Sequence, residues 1–114
     1  LAPACGKAPY RQFALNPAGK WLAYHWATPI SKGAPQKWLD SGARVQGHTT
    51  KDGWTATFAI PLATLVPGGL APGATFYANF YRASNSIKEV YAWSPNFESS
   101  FHVLDRLGAI TLQE

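Results

Sequence analysis

The chain of 114 residues contains no methionine, a single cysteine and only six acidic side chains. One cysteine, Cys5, excludes a disulfide within the chain, so a disulfide framework does not hold this fold together. The absence of methionine removes one of the common axial ligands of haem iron. No apolar run approaches the roughly 18 residues of a membrane-spanning helix, so we expect no membrane span.

Motifs that carry catalysis are missing as well. The sequence has no Gly-x-Ser-x-Gly, no phosphate-binding loop and no dinucleotide fingerprint. The acidic residues are isolated, so nothing marks a glycosidase pair or an acidic calcium loop. The three histidines, His25, His48 and His102, lack the spacing of metal ligands. The sequence therefore predicts a protein that is not an enzyme and needs no cofactor.

Positive charge is present but dispersed. The net charge is +4 and the calculated pI is about 9.4. Such a balance allows weak attraction to polyanions. The ten basic residues are scattered along the chain and form no basic stripe, so nucleic-acid binding is not expected.

What the chain does contain points to one all-β domain over residues 1–114. Hydrophobic residues make up 46% and aromatic residues 14%, which is enough for a core, and 10 glycines and 9 prolines supply many turns. Apolar and polar side chains alternate with the period of a strand in several segments. The predicted strands are 10–15, 20–27, 43–49, 54–60, 75–83, 87–93 and 109–112, with one helical turn at 62–66. Residues 28–40 are predicted to be mainly loop, and residues 84–86 a hairpin turn. In the strand 75–83, Phe76, Ala78 and Phe80 are predicted to point inward.

Four blocks of the sequence, taken in order, resemble the family 9 carbohydrate-binding modules and their DOMON-type relatives. The resemblance implies an antiparallel β-sandwich of the jelly-roll or immunoglobulin-like kind, and it favours an extracellular or periplasmic, secreted protein. The blocks are Tyr10-Arg-Gln-Phe-Ala-Leu-Asn-Pro-Ala-Gly19, then Asp52-Gly-Trp-Thr-Ala-Thr-Phe-Ala-Ile-Pro61-Leu62, then Asn79-Phe-Tyr-Arg82 with Glu89-Val-Tyr-Ala-Trp93-Ser-Pro95, and last Phe101-His-Val103 with Arg106-Leu-Gly108.

Domains of this family are usually longer than 114 residues. The resemblance therefore implies that N-terminal strands are lacking here. Unpaired strand edges would then remain unless another segment covers them. We expect a missing N-terminal segment or a companion chain to complete the sheet.

A sugar-binding site is the leading functional hypothesis. A sugar ring presents C–H groups on one face and hydroxyls at its rim, so a flat aromatic and planar polar groups suit it. The resemblance places a stacking residue at Trp93, and Arg82, Glu89 and Asn79 lie close to it in sequence as a polar rim. It also marks Arg11 as a polar ligand contact. Trp21, which shares a strand face with His25, is a candidate second platform.

Alternatives remain open at several of these positions. In the alternative, Trp93 is a core residue that caps the sandwich, and Arg82 and Glu89 form a cross-strand ion pair. Trp54 is predicted to be core, Trp26 is favoured as core, and Trp38 suits either role. Among whole-protein alternatives, the resemblance allows a DOMON-type haem or redox-ligand domain and a structural calcium ion. A structural or interaction sandwich without a small ligand is the third reading.

Overall fold

A computed structural model describes residues 1–66, 68–84, 86 and 88–113. Strands account for 41% of the described residues, and helix is limited to one four-residue α-helix and two 3₁₀ turns. In this part of the chain, no helix has the length and hydropathy of a membrane span. The elements are β1 Tyr10–Leu15, β2 Trp21–Trp26, β3 Gln36–Lys37, β4 Arg44–Thr50, β5 Gly53–Ala59, α1 Leu62–Leu65, β6 Thr75–Ala78, β7 Tyr81–Ser84, β8 Glu89–Ala92 and β9 Gly108–Thr111.

The strands form small antiparallel sheets, which confirms the all-β prediction. β1, β2 and β3 form one sheet in that order, and β4–β5, β6–β9 and β7–β8 are pairs. Two tight turns explain two of the hairpins. Gly19, at φ +75°, donates its N–H to the carbonyl of Asn16 at 2.9 Å, and Thr50 lies opposite Gly53 across the second turn. Glycine tolerates positive φ without a steric penalty, so the turn at Gly19 follows from local sequence.

The prediction of one continuous strand over residues 75–83 is wrong. It divides into β6, which pairs with β9, and β7, which pairs with β8, and the break falls at Asn79 and Phe80. The short strand β3 was predicted to be loop. The predicted turn at 84–86 and the predicted strand 87–93 include Asn85 and Ile87, which lie outside the described residues.

The first two residues join two of the sheets. Leu1 and Arg11 exchange hydrogen bonds, with the Leu1 ammonium donating to the Arg11 carbonyl at 2.8 Å and the Arg11 N–H donating to the Leu1 carbonyl at 2.7 Å. Ala2 exchanges a similar pair with Tyr77 of β6, at 2.7 and 2.8 Å. A dipeptide therefore fills the space between the edge of β1 and the edge of β6.

The best-packed core lies on one face of β1 and β2. Tyr10 and Trp26 stack with ring centroids 5.6 Å apart, and only 4% and 5% of their surfaces are exposed. Trp26 also donates its indole N–H to Gln12 Oε1 at 2.9 Å, which satisfies the polar end of a buried ring. Ala2 and Leu104 complete this cluster. The prediction that Trp26 is core is confirmed.

Elsewhere the packing is open. Phe80 was predicted to point inward, but 59% of its surface is exposed. Trp54 was predicted to be core, but it is half-buried and the guanidinium of Arg82 lies over its ring. Alternation along a strand identifies which residues share a face, but not whether that face is covered.

Candidate functional site

Trp93 lies immediately after β8 and has an open ring. The backbone N–H of Trp93 donates to the Phe80 carbonyl at 3.0 Å. The Trp93 and Phe80 rings meet edge to face with centroids 5.7 Å apart. The benzene part of the indole rests on Gly108, where an added Cβ would overlap it. Even so, 55% of Trp93 is exposed. The side chain is thus held at one edge and remains accessible over more than half of its surface.

Asn79 is a positioning residue for this corner of the fold. Its Nδ2 donates to the Ser94 carbonyl at 2.7 Å and to the Tyr81 hydroxyl at 3.0 Å. Its Oδ1 accepts from the N–H groups of Phe80 and Ser94, both at 2.9 Å. The amide group is engaged on both sides, so it anchors the end of β8 next to Trp93. The sequence analysis placed Asn79 in the polar rim, and its side chain is already committed to these bonds.

Arg82 and Glu89 lie on the β7–β8 hairpin but contact different partners. Arg82 lies opposite Tyr91 and places its guanidinium carbon 4.6 Å from the centre of the Trp54 ring. Glu89 accepts a short hydrogen bond from the Tyr91 hydroxyl, and this bond raises the pKa of Tyr91. Because side chains alternate along a strand, Glu89 and Tyr91 project from the same side of β8. The hairpin thus presents a carboxylate and a phenol on one face, and the exposed indole of Trp93 follows two residues after Tyr91 in the sequence.

The other two predicted site residues belong to a different sheet. Arg11 lies opposite His25 and Trp21 opposite Leu15 in the β1–β2 pairing. The Arg11 guanidinium stacks over Trp38 with its carbon 4.7 Å from the ring centre. Trp21 is half-buried. The predicted set therefore divides into a hairpin group around Trp93 and a separate pair on β1 and β2.

Arg11 and His25 are unusual in their lack of partners. Among the described residues, Arg11 Nε and Nη1 and His25 Nε2 are enclosed without a hydrogen bond. Burial lowers the pKa of Arg11. Burial also lowers the pKa of His25, and the nearby Arg11 charge adds to that shift. Enclosed polar groups normally have partners, so these three nitrogens need an explanation.

A loop-lined depression of about 630 Å³ is formed by Gly6 and residues 29–31, 96–98, 100 and 102–106. His102 lines this depression. Its Nδ1 shares a 2.8 Å hydrogen bond with the Tyr10 hydroxyl. The centroids of the His102 and Trp26 rings are 4.7 Å apart. Burial lowers the pKa of His102 and raises that of Tyr10 to about 12. Phe97 also lines the depression; it is 84% exposed and adopts φ +56°.

Sequence reasoning missed two contributors to the hairpin group. Phe80 supports the Trp93 ring, and Tyr91 binds Glu89. The signal for Tyr91 was present, since it alternates with Glu89 and Trp93. The signal for Phe80 was absent, because its exposure depends on the break between β6 and β7.

The described residues contain no group of three or more His, Cys, Asp or Glu side chains close enough to hold a metal ion. His102 already uses Nδ1 in its bond to Tyr10. The expectation that no cofactor is required stays a prediction. Comparison with protein-family models, curated proteins and solved structures finds no match, so the resemblance to family 9 modules also stays a prediction.

Proposed function

We propose that this protein binds carbohydrate without cleaving it, and that a glucan- or xylan-type sugar ring stacks on Trp93. The observation that carries this proposal is the accessibility of the Trp93 ring, at 55%, combined with its fixed edge on Gly108 and Phe80. A large aromatic side chain that is held in place yet open to solvent loses little conformational entropy when a flat ligand covers it.

The polar surroundings suit a sugar rim. The carboxylate of Glu89 accepts hydrogen bonds, and the Tyr91 hydroxyl both donates and accepts them. The contact with Trp54 orients Arg82. Its planar guanidinium still offers N–H groups as hydrogen-bond donors. Hydroxyl groups around a pyranose offer alternating donors and acceptors, so this set complements them without a metal ion or a nucleophile.

The sandwich architecture belongs to the same proposal. The β4–β5 hairpin contacts two other sheets through its aromatic side chains. Phe58 meets Phe13 of β1 edge to face with centroids 6.2 Å apart. The Trp54 ring contacts the guanidinium of Arg82 from β7. Contacts of this kind between the faces of separate sheets support layered packing.

The test is a titration of cellohexaose and xylohexaose against intrinsic tryptophan fluorescence, with calorimetry to measure affinity. We expect one of them to shift the emission, and Trp93→Ala to weaken binding by about tenfold or more, equivalent to about 1.4 kcal/mol. Phe97→Ala is the matched control, because it removes an even more exposed aromatic away from the hairpin. Binding that is equally strong in Trp93→Ala, or absent in the wild type, contradicts the proposal.

A second candidate is a protein-interaction surface at the same hairpin. Phe80 and Trp93, whose rings meet, are 59% and 55% exposed, and clustered apolar exposure is typical of interfaces. Sedimentation of the wild type and of Trp93→Ala without sugar distinguishes the two functions. An interface predicts concentration-dependent association that the substitution abolishes, whereas sugar binding predicts the same monomer for both.

A further inference from the structure

The loop-lined depression is attached to the best-packed part of the molecule. Leu104, which lines it, belongs to the core cluster with Tyr10 and Trp26, and its carbonyl accepts the Gly6 N–H at 3.0 Å. His102, which also lines it, is fixed by its hydrogen bond to Tyr10. The volume of about 630 Å³ falls within the roughly 300–1,000 Å³ of small-molecule sites. The fold therefore holds open a concavity of ligand size.

The loop that carries Phe97 is fastened by Asn96. The Nδ2 of Asn96 donates to the Ser100 carbonyl at 2.8 Å and to the Tyr81 hydroxyl at 3.3 Å. At the far end of the loop, the His102 N–H donates to Ser100 Oγ at 3.1 Å. Both ends of the loop are thus tied to other parts of the fold. A ligand that met this loop would find it already ordered, which lowers the entropic cost of binding.

The conformation of Phe97 is unfavourable and its own contacts do not offset it. The ring is 84% exposed, so it buries little apolar surface. Its φ of +56° lies in the left-handed region, which bulky residues rarely adopt. Backbone outliers of this kind cluster at ligand sites. The guanidinium carbon of Arg106 lies 5.9 Å from the ring centre, so the ring already attracts one cation and its remaining surface is open to another.

The charge of the depression differs from that of the whole chain. The chain is net positive, at +4, but two of its six acidic residues, Glu98 and Asp105, line the depression against one arginine, Arg106. Burial lowers the pKa of His102, so its imidazole is mainly uncharged at neutral pH. In the described part of the chain, Glu98 and Asp105 use backbone groups in their hydrogen bonds. Their carboxylates are therefore available to a ligand.

An aromatic face and free carboxylates together suit an organic cation. The ring quadrupole attracts the cation, and a carboxylate forms charge-assisted hydrogen bonds with an ammonium group. Ile30, on the opposite wall, is half-exposed and offers apolar contact to a carbon chain. We propose that the loop-lined depression binds an alkylammonium group, held by the carboxylates of Glu98 and Asp105 and by the face of Phe97. A free amine and a lysine side chain share this chemistry.

The experiment compares three probes with the same five-carbon chain: cadaverine, which carries two ammonium groups, pentanediol, which is neutral, and glutarate, which is anionic. Amide chemical shifts in NMR titrations of the full chain measure binding. We expect cadaverine to bind at least about tenfold more tightly than either of the others, because only cadaverine pairs with carboxylates. The shifts should centre on Phe97, Glu98 and Asp105, and the affinity should fall as salt is added.

Variants identify the groups responsible. Glu98→Gln combined with Asp105→Asn should abolish the preference for cadaverine, and Asp52→Asn, at an exposed turn position, is the matched control. Phe97→Leu keeps an apolar side chain but removes the aromatic face, so it should weaken binding by about two- to fivefold. Arg106→Gln should strengthen binding, because it removes a like charge. A depression that bound anions would reverse the direction of these effects.

A lysine capped at both backbone ends distinguishes the two sources of the ammonium group. Tighter binding of the capped lysine supports a partner's lysine side chain, and tighter binding of cadaverine supports a free amine. Equal binding of the three five-carbon probes, a preference for glutarate, or weaker cadaverine binding in Arg106→Gln would overturn the proposal. If a variant fails to fold, the three probes on the wild type still decide it. Competition by cellohexaose would also overturn it, since this site is independent of the proposed sugar binding at Trp93.

Discussion

Two tryptophan side chains that lie in similar alternating sequence patterns end in opposite environments. Trp26 lies on the packed face of β1 and β2, whereas Trp93 follows the β7–β8 hairpin. Trp26 is 5% exposed and Trp93 is 55% exposed. Trp26 is stacked on Tyr10 and covered by His102, a residue from far along the chain. Phe80 and Gly108 lie against Trp93. Distant segments, rather than local pattern, decide whether an aromatic side chain stabilises the fold or meets solvent.

Polar groups differ between the same two regions. Asn79, beside Trp93, has its amide oxygen and nitrogen both engaged. In the described part of the chain, Arg11, on the opposite face of β1 from Tyr10, has two enclosed nitrogens without partners. The polar group beside the exposed ring is therefore fully hydrogen-bonded, whereas the unpartnered nitrogens lie in the better-packed sheet.

The largest expected effect is the loss of Trp26. Trp26→Ala removes a buried ring from the core cluster and should lower the free energy of unfolding by about 3–5 kcal/mol. Trp93→Ala, its matched counterpart, should lower it by about 1 kcal/mol or less, because that ring is mostly exposed. Urea denaturation of both variants measures the difference. Similar losses for the two would show that the regions do not differ in packing as described.

Gly108→Ala should produce the next largest effect. Its new Cβ would overlap the Trp93 ring, and overpacking of this kind costs about 1–3 kcal/mol. The substitution should also displace Trp93 and weaken saccharide binding. Gly53→Ala is the control, since a Cβ there meets nothing within 4 Å. Adding Trp93→Ala to Gly108→Ala should restore most of the stability, and a purely additive loss would contradict the contact.

Arg82→Gln tests the link between the hairpin and β5 with a smaller change. Its guanidinium lies 4.6 Å from the Trp54 ring centre, and an exposed cation–π contact contributes about 0.5–1 kcal/mol. Urea denaturation should show a loss of that order, with Arg44→Gln as control. If Trp54→Leu abolishes the effect of Arg82→Gln in a double-mutant cycle, the contact is responsible; an unchanged effect assigns the loss elsewhere.

The smallest expected effect is on the pH dependence of stability, because the His102 imidazole is only partly buried. Burial lowers its pKa in the folded protein from the ordinary value of 6.5, so the unfolded chain binds the proton more readily. Its contribution is complete above about pH 6.5 and is lost as the pH falls toward the folded pKa. Burial of His25 and Leu1 shifts stability in the same direction.

Thermal unfolding between pH 7.5 and 5 measures the slope of stability against pH. His102→Gln should reduce this pH dependence, because it removes an imidazole whose pKa is lowered by burial. His48→Gln, at an exposed position on β4, is the matched substitution. An unchanged slope in His102→Gln would assign the pH dependence to the other two groups.

Much of the secondary structure was predictable because its causes are local. The hairpin at Gly19 and the turn at Gly53 follow from residues that accept tight turns, and the alternation of Leu22, Tyr24 and Trp26 predicted a strand with a core face. The break at Asn79 was not predictable. It depends on bonds between the Asn79 side chain and Ser94, which lies fifteen residues further along the chain.

By itself, the sequence determined that this is an all-β chain with short strands, tight turns and an aromatic set large enough for both a core and a surface. Only the tertiary structure decided which rings are covered, because burial requires contact with residues that are distant in sequence. The same limit applies to charge. That Arg11 is cationic is evident from its identity, whereas its enclosure without a partner depends on how β1, β2 and Trp38 come together.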